Sequence, residues 1–132
     1  MDDLIYLLWL TRVDGLGPKK QKELLRRFAN AQEIYHASGV RLRDAAAHAG
    51  SKLTEQNLQS LQAARDLRPV ENLMDDARKK NIQVLTLEDA AYPSLLKEIS
   101  DPPLILYMMG TMPDDSFPKV SLIGARRCSE YG

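Results

Sequence analysis

The sequence KVSLIGARRCSEYG (residues 119–132) decides the fold class of this chain. An apolar run leads into a glycine, two arginines and a Ser-Glu pair of the kind that begins helices. A strand, a turn and a helix in this order form a phosphate site, because glycine lets the backbone approach an anion and helix N–H groups hold it. The chain ends within the first turn of that helix. We therefore expect the start of an anion- or nucleic-acid-binding α/β domain that is cut off early.

The residues before this stretch continue the pattern of an α/β domain back to about residue 69. Apolar side chains follow helical spacing from Val70 to Ala77, and Lys79-Lys80-Asn81 ends that helix. The elements predicted further along are strands over 82–87, 104–109 and 119–123, with a short helix after Tyr92-Pro93.

The third of these strands is apolar on both faces from Val120 to Ile123, as a central parallel strand would be. Without neighbouring strands it would leave unpaired backbone and bare apolar surface. We expect residues after about Pro113 either to be poorly ordered or to pair with another copy of the chain.

Residues 1–68 are predicted to form a small bundle of short helices. Pro18 suits the first turn of a helix, and Thr54 can cap another one. The predicted helices cover about 4–11, 18–28, 31–37, 41–48 and 54–67. None of them is long, so their stability must come from packing on one another. We therefore predict two domains, 1–68 and 69–132.

Composition excludes several classes of protein. The 132 residues are 44% hydrophobic and carry 18 basic and 18 acidic side chains, which is typical of a soluble globular protein. A single cysteine, Cys128, excludes an intramolecular disulfide and a cysteine-based zinc site. No apolar run approaches the roughly 20 residues of a membrane-spanning helix. We expect a cytoplasmic protein without metal or cofactor.

A candidate DNA site lies between the first two predicted helices, where Gly15-Leu16-Gly17 precedes Lys19 and Lys20. Gly-apolar-Gly is typical of a helix-hairpin-helix, in which Gly15 and Gly17 leave N–H groups uncovered to donate to a DNA phosphate. The lysines would add charge-assisted contacts, in a stretch (12–27) that holds six basic and two acidic side chains. The alternative is a tight turn whose leucine fills the core and whose lysines are merely solvated.

Another candidate site is the loop after the third strand. Gly124 permits close approach, Arg126 and Arg127 carry planar guanidinium groups that suit phosphate, and Ser129 can cap the following helix. The alternative is a glycine at a strand end followed by solvent-facing arginines. Because the loop has neither a full dinucleotide-binding motif nor a P-loop lysine, its meaning depends on the neighbouring motifs.

Those neighbours occur in a fixed order: YPSLLKEI (92–99), DPPLILYMMG (101–110) and VSLIGARRCSEYG (120–132). Together they resemble the DprA/Smf family of DNA-processing proteins. That family has a tyrosine-proline helix, a Pro-Pro strand ending in glycine, and a Gly-Ser-Arg or Gly-Ala-Arg loop leading to Ser/Thr-x-Tyr-Gly. The resemblance covers about residues 85–132 strongly. The N-terminal helices match the family's SAM-like or helix-hairpin-helix domain more loosely.

The resemblance implies a bacterial cytoplasmic protein that binds single-stranded DNA, protects it during natural transformation and helps load the RecA recombinase. It implies a Rossmann-like domain that dimerises in the whole protein, though not through this part of it. Arg126 occupies the place of the basic residue that contacts DNA phosphate, with Gly124 and Ser129 beside it, and Arg127 matches a commonly basic position. Ala125 replaces the more usual serine, which removes one hydroxyl that could contact phosphate.

The predicted fold class is α + α/β, a helical SAM-like or helix-hairpin-helix bundle followed by the first strands of a Rossmann-like domain. The predicted function is non-enzymatic binding of single-stranded DNA through phosphate contacts. The alternative is a helical protein-interaction module without DNA contact, which the balanced charge favours. An enzyme on a Rossmann-like nucleotide site would need a nucleophile, general base or metal set, and the sequence shows none.

Overall fold

A computed structural model describes residues 2–132, so Met1, where the first predicted domain begins, lies outside the described residues. The described chain is mainly helical and carries a small sheet near its middle. Its elements are α1 (Asp2–Thr11), α2 (Pro18–Arg27), α3 (Ala31–His36), α4 (Gly39–Ala46), α5 (Glu55–Ala63), α6 (Arg68–Lys79), β1 (Ile82–Thr86), α7 (Ser94–Lys97) and β2 (Ile105–Met109).

Local signals in the sequence set the helix boundaries. Pro18 occupies the first turn of α2, and the Thr54 side chain accepts a hydrogen bond from the backbone N–H of Asn57 at the start of α5. Asn81 adopts a left-handed φ of 53° just after α6, which ends that helix where the sequence predicts. The α5 helix is shorter than predicted, because the chain leaves it at Ala64.

One apolar core joins the helices. Its most deeply buried large side chains come from α1 to α6: Leu8, Leu10, Leu24, Ile34, Leu42, Leu61 and Val70. The α1 helix packs against α2, α3 and α6, so it lies at the centre of the bundle. The Nε1 of Trp9 also donates a hydrogen bond of 2.6 Å to the carbonyl of Ala64, which fixes α1 to the end of α5.

The sheet consists of β1 and β2 in antiparallel register, with Ile82 opposite Met109 and Thr86 opposite Ile105. Leu104 and Ile105 belong to the same buried cluster as Leu8. The core is therefore continuous across residue 68, where the sequence analysis sets a domain boundary. A helical bundle followed by a small sheet is compatible with the predicted α + α/β class. The division into domains 1–68 and 69–132 stays a prediction.

The connection between β1 and β2 is held by a hydrogen bond from the Tyr-Pro motif to the backbone of the Pro-Pro motif. Tyr92 is 3% exposed, and its hydroxyl donates to the carbonyl of Pro103 at 2.8 Å. Burial raises the pKa of this phenol. In the turn after β1, the Asp89 carboxylate accepts hydrogen bonds from the N–H (2.6 Å) and the hydroxyl (2.9 Å) of Thr86, which lower the pKa of Asp89.

The predicted third strand over 119–123 is wrong for this structure. Those residues form no ladder, and Val120, Leu122 and Ile123 are 86%, 96% and 94% exposed. A strand requires hydrogen-bonding partners on a neighbouring strand, and within residues 2–132 the sheet contains β1 and β2 only. The predicted helix start at Ser129 is a single turn, closed by the N–H of Gly132 on the Ser129 carbonyl at 3.0 Å.

Candidate nucleic-acid interface

The first predicted site, the loop of Gly124, Arg126, Arg127 and Ser129, lies fully on the surface. Within the described chain, neither arginine side chain makes a hydrogen bond or an ion pair. A Cβ added at Gly124 would meet nothing within 4 Å, so this glycine is not required by packing. The loop thus presents two unengaged guanidinium groups, which can reach an anion without first breaking an internal contact.

The second predicted site, the hairpin between α1 and α2, has a local geometry that needs its first glycine. Gly15 has a left-handed φ of 77°, and an added Cβ would lie 3.3 Å from the Nδ2 of Asn57. Gly17 precedes α2 in an extended conformation and provides no side-chain cap. Leu16 is 5% exposed, and its carbonyl accepts a hydrogen bond of 2.7 Å from Gln21. The hairpin leucine therefore fills the core.

Asn57 ties this hairpin to α5. It is 5% exposed, and its Nδ2 donates to the carbonyl of Gly15 at 3.1 Å. Its Oδ1 accepts from the Nζ of Lys20 at 2.8 Å and from the N–H of Thr54 at 3.0 Å. Lys20 is therefore engaged in holding the hairpin, as in the alternative of a tight structural turn. Sequence analysis missed Asn57, although its place three residues after Thr54 is that of a capping-box residue.

Lys19 differs from Lys20 in its surroundings. Its side chain is 65% exposed, and its Nζ lies 3.4 Å from the Oδ2 of Asp101, in the loop after α7. An exposed pair of this kind is weak, because solvent screens it. Lys19 therefore remains accessible to an anion, whereas Lys20 is bound within the fold.

Lys19 also stands at one end of a cleft of about 500 Å³, here called the α2 cleft. It is lined by residues of α2, of the loop before α5 and of the loop that holds Asp101. The charged side chains that line it are Lys19, Lys22, Glu23, Arg26, Arg27, Lys52 and Asp101. Sequence analysis identified the basic stretch of α2, but Lys52 and Asp101 come from distant segments that only the fold brings to it.

The Glu23 carboxylate in this cleft already has hydrogen-bond donors and a cationic partner. Its Oε1 accepts a hydrogen bond of 2.5 Å from the Ser51 hydroxyl and lies 3.6 Å from Arg27, while its Oε2 accepts from the N–H of Lys52 at 3.1 Å. Burial alone would raise the pKa of Glu23, but these hydrogen bonds and the charges of Arg27 and Lys52 lower it overall. Glu23 is thus held ionised as part of the wall.

The structure does not join the two predicted sites. In the described residues, no hydrogen bond or ion pair connects the loop at 124–129 with the α1–α2 hairpin. The described residues contain no group of three or more His, Cys, Asp or Glu side chains that could hold a metal ion. Across residues 2–132, no helix has the length and apolar character that crossing a membrane requires.

Comparison with a family model gives a match over the second part of the chain. The model of DNA recombination-mediator protein A matches residues 83–132, which include β2, the Tyr-Pro and Pro-Pro motifs and the arginine loop. The helical residues before 83 lie outside this match. No solved structure matches the chain.

Curated relatives match almost the whole chain. It is 29% identical over 131 residues to Protein Smf of Synechocystis sp. (strain ATCC 27184 / PCC 6803 / Kazusa), covering 96% of this chain and 31% of the relative. It is 32% identical over 129 residues to Protein Smf of Borreliella burgdorferi, covering 92% of this chain and 37% of the relative. The chain therefore spans about a third of the length of these two proteins.

A third relative matches a shorter segment more closely. DNA processing protein DprA of Streptococcus pneumoniae is 43% identical over 44 residues, which are 33% of this chain and 16% of the relative.

Proposed function

The chain belongs to the DprA/Smf family, and from that membership we propose that it binds single-stranded DNA through phosphate contacts in DNA processing. The observation that carries the proposal is the match of residues 83–132 to a recombination-mediator family, because this segment contains the exposed Arg126 and Arg127. Two arginines without internal partners suit phosphate oxygens, which accept bidentate hydrogen bonds from guanidinium groups. Binding of this kind tolerates any sequence and weakens with salt.

For the whole protein, we propose a cytoplasmic, non-enzymatic role in natural transformation, with loading of RecA onto single-stranded DNA and dimerisation outside this part. Support comes from the family membership. We also propose that residues 1–68 are a SAM-like or helix-hairpin-helix domain and that residues 69–132 begin a Rossmann-like domain. An antiparallel β1–β2 pair would then be the first part of a larger sheet.

The alternative function is a protein-interaction module, and one observation favours it for the helical half. Lys20, which is expected to contact DNA, donates its hydrogen bond to Asn57, and Asn57 also holds the Gly15 carbonyl of the hairpin. A hairpin engaged in this way offers fewer groups to a phosphate. In this alternative, the helical half docks a protein partner and makes no direct contact with DNA.

The test is fluorescence anisotropy with labelled oligo-dT of about 20 nucleotides, longer than typical binding sites of single-stranded DNA-binding domains. The 132-residue chain is titrated at several salt concentrations beside Arg126→Glu/Arg127→Glu and Lys19→Glu/Lys20→Glu. Lys79→Glu/Lys80→Glu, on α6, is the control with the same change of charge.

The proposal predicts that the loop variant weakens binding and reduces the salt dependence. The slope of log K against log salt should fall by about 1.4, since each phosphate contact to a single strand contributes about 0.7. Weakening by the hairpin variant alone would move the DNA site to the helices. Equal binding by all four proteins, or no binding by the wild type, would contradict the proposed site.

A further inference from the structure

We propose that the α2 cleft is a second binding site for the phosphate backbone of single-stranded DNA, separate from the arginine loop. The inference rests on the proposed function and assigns to it a surface that shares only Lys19 with the predicted hairpin site and no residue with the arginine loop. Its central residues are Lys22, Arg26 and Lys52, which come from one helix and from the loop before α5.

The spacing of the basic residues on α2 places them on one face. Lys19, Lys22 and Arg26 stand at positions i, i+3 and i+7, which are neighbours along a helix surface. The opposite face is anchored by the buried Gln21 and Leu24. Because the buried side fixes how α2 is oriented, Lys19, Lys22 and Arg26 all lie on its cleft-lining face. They span about two turns of the helix.

The charge in the cleft is unbalanced in favour of an anion. Five basic side chains line it against two acidic ones, Glu23 and Asp101. Glu23 is neutralised by Arg27 and by hydrogen bonds from Ser51 and Lys52. Since Asp101 pairs with Lys19, both acidic groups already have cationic partners.

The remaining cations are unpartnered. Within residues 2–132, no carboxylate lies within 4.0 Å of the side-chain nitrogens of Lys22, Arg26 or Lys52. The Nε of Arg27 is buried and has no hydrogen-bond acceptor in the described chain. Buried donors are normally satisfied, so this Nε keeps an unused hydrogen-bonding capacity in a residue that lines the cleft.

The shape and charge favour one class of anion. A cleft of about 500 Å³ with cations spread along it fits a flexible chain of repeated charges better than a single small ion. The Asp101 side chain lines the cleft and is 30% exposed, so a DNA strand in the cleft would compete with it for Lys19. The Asp101 carboxylate therefore opposes binding, and its removal should strengthen it.

The experiment uses the same labelled oligo-dT and the same 132-residue chain. The cleft variant is Lys22→Glu/Arg26→Glu, and its control is Lys79→Glu/Lys80→Glu. The control is matched because Arg26 and Lys79 each lie in the last turn of a helix, so both variants lose a similar favourable interaction with the helix dipole. Asp101→Asn is the variant expected to gain affinity. Circular dichroism before titration verifies that each variant is folded.

If DNA binds in the α2 cleft, Lys22→Glu/Arg26→Glu should lower the slope of log K against log salt by about 1.4, at about 0.7 per lost phosphate contact. Asp101→Asn should tighten binding and raise the slope, which a purely structural role of Asp101 would not do. Polyglutamate of equal charge is added as a competitor. Displacement of oligo-dT by polyglutamate at equal concentration would overturn the assignment to nucleic acid.

Two negative results are distinguishable. If the wild type binds and the arginine-loop variant weakens it, while the cleft variant behaves like its control, the cleft is overturned and the proposed function stands. If the wild type binds no oligo-dT at any salt concentration, the proposed function of this chain fails together with the cleft.

Discussion

Tyr92 lies in a motif that resembles one of the DprA/Smf family, yet its hydroxyl is used inside the fold. It donates to the Pro103 carbonyl at 2.8 Å and so joins the Tyr-Pro motif to the Pro-Pro motif. The spacing between these motifs is therefore a structural requirement, since the carbonyl must lie within reach of the phenol. Neither motif needs a ligand to account for it.

Tyr92→Phe removes this hydrogen bond and keeps the buried ring. We expect a loss of about 1 kcal/mol in the free energy of unfolding, the typical net value of one hydrogen bond. Urea denaturation followed by circular dichroism measures it. Tyr131→Phe, at a fully exposed ring, is the matched control and should change nothing. Equal stability of Tyr92→Phe and wild type would show that the bond contributes no net stability.

Glu23 gives the stability of the chain a specific pH dependence. Its pKa in the folded state is lowered below 4.5, so its contribution is complete above the unfolded-state pKa and is lost as the pH falls through the folded value. Glu23→Gln should therefore lose less stability on acidification than the wild type. Urea midpoints at neutral and acidic pH test this, with Glu130→Gln, an exposed glutamate, as control. Parallel pH profiles for wild type and Glu23→Gln would contradict it.

The lysines of the hairpin show how far sequence reasoning reaches at this scale. Their position at the start of α2 could be predicted, because Pro18 and the flanking glycines are local signals. Their partners could not be predicted, since Asn57 and Asp101 approach them only through tertiary packing. The difference between a bound Lys20 and an accessible Lys19 depends on those partners.

At the scale of elements, helices and strands differ in how well the sequence determines them. The α2 and α6 helices begin and end near their predicted residues, and α5 begins at its predicted cap, because prolines, caps and Asn81 act within a few residues. The run at 119–123 has the composition of a strand, but a strand also depends on distant partners. In the described residues this run pairs with neither β1 nor β2, so composition alone gives the wrong element.

The run at 120–123 is unpaired, exposed and largely apolar, so its backbone and side chains are free to pair with another chain. Leu122→Lys/Ile123→Lys should reduce self-association and change the free energy of unfolding by less than about 0.5 kcal/mol, as is usual for surface positions. Sedimentation velocity over a concentration series measures the association.

The control for this variant is Leu95→Lys/Ile99→Lys, which alters another exposed apolar pair. Association reduced only by the control would locate the contact near α7. A wild type that stays monomeric at all concentrations would contradict the prediction of pairing at 120–123.

At the scale of the whole molecule, the buried cluster extends from Leu8 on α1 to Ile105 on β2. Because both predicted domains contribute to this cluster, we expect one cooperative unfolding transition. Trp9 is the single tryptophan of the chain, and its fluorescence reports on the helical bundle. Hydrogen exchange of the β1 and β2 amides reports on the sheet. Separate midpoints for these two probes would instead favour independent domains divided near residue 68.

The position of the core along the chain has a consequence for biosynthesis. Ile105 is the last buried apolar residue in the described chain, so every side chain of the core leaves the ribosome before residues 120–123 do. Since chains fold from the amino terminus as they are made, the helical bundle can fold before the apolar run at 120–123 leaves the ribosome. On a polysome, each nascent chain then exposes its apolar run beside chains whose helical bundles are already folded. This order limits the time during which unfolded nascent chains can aggregate.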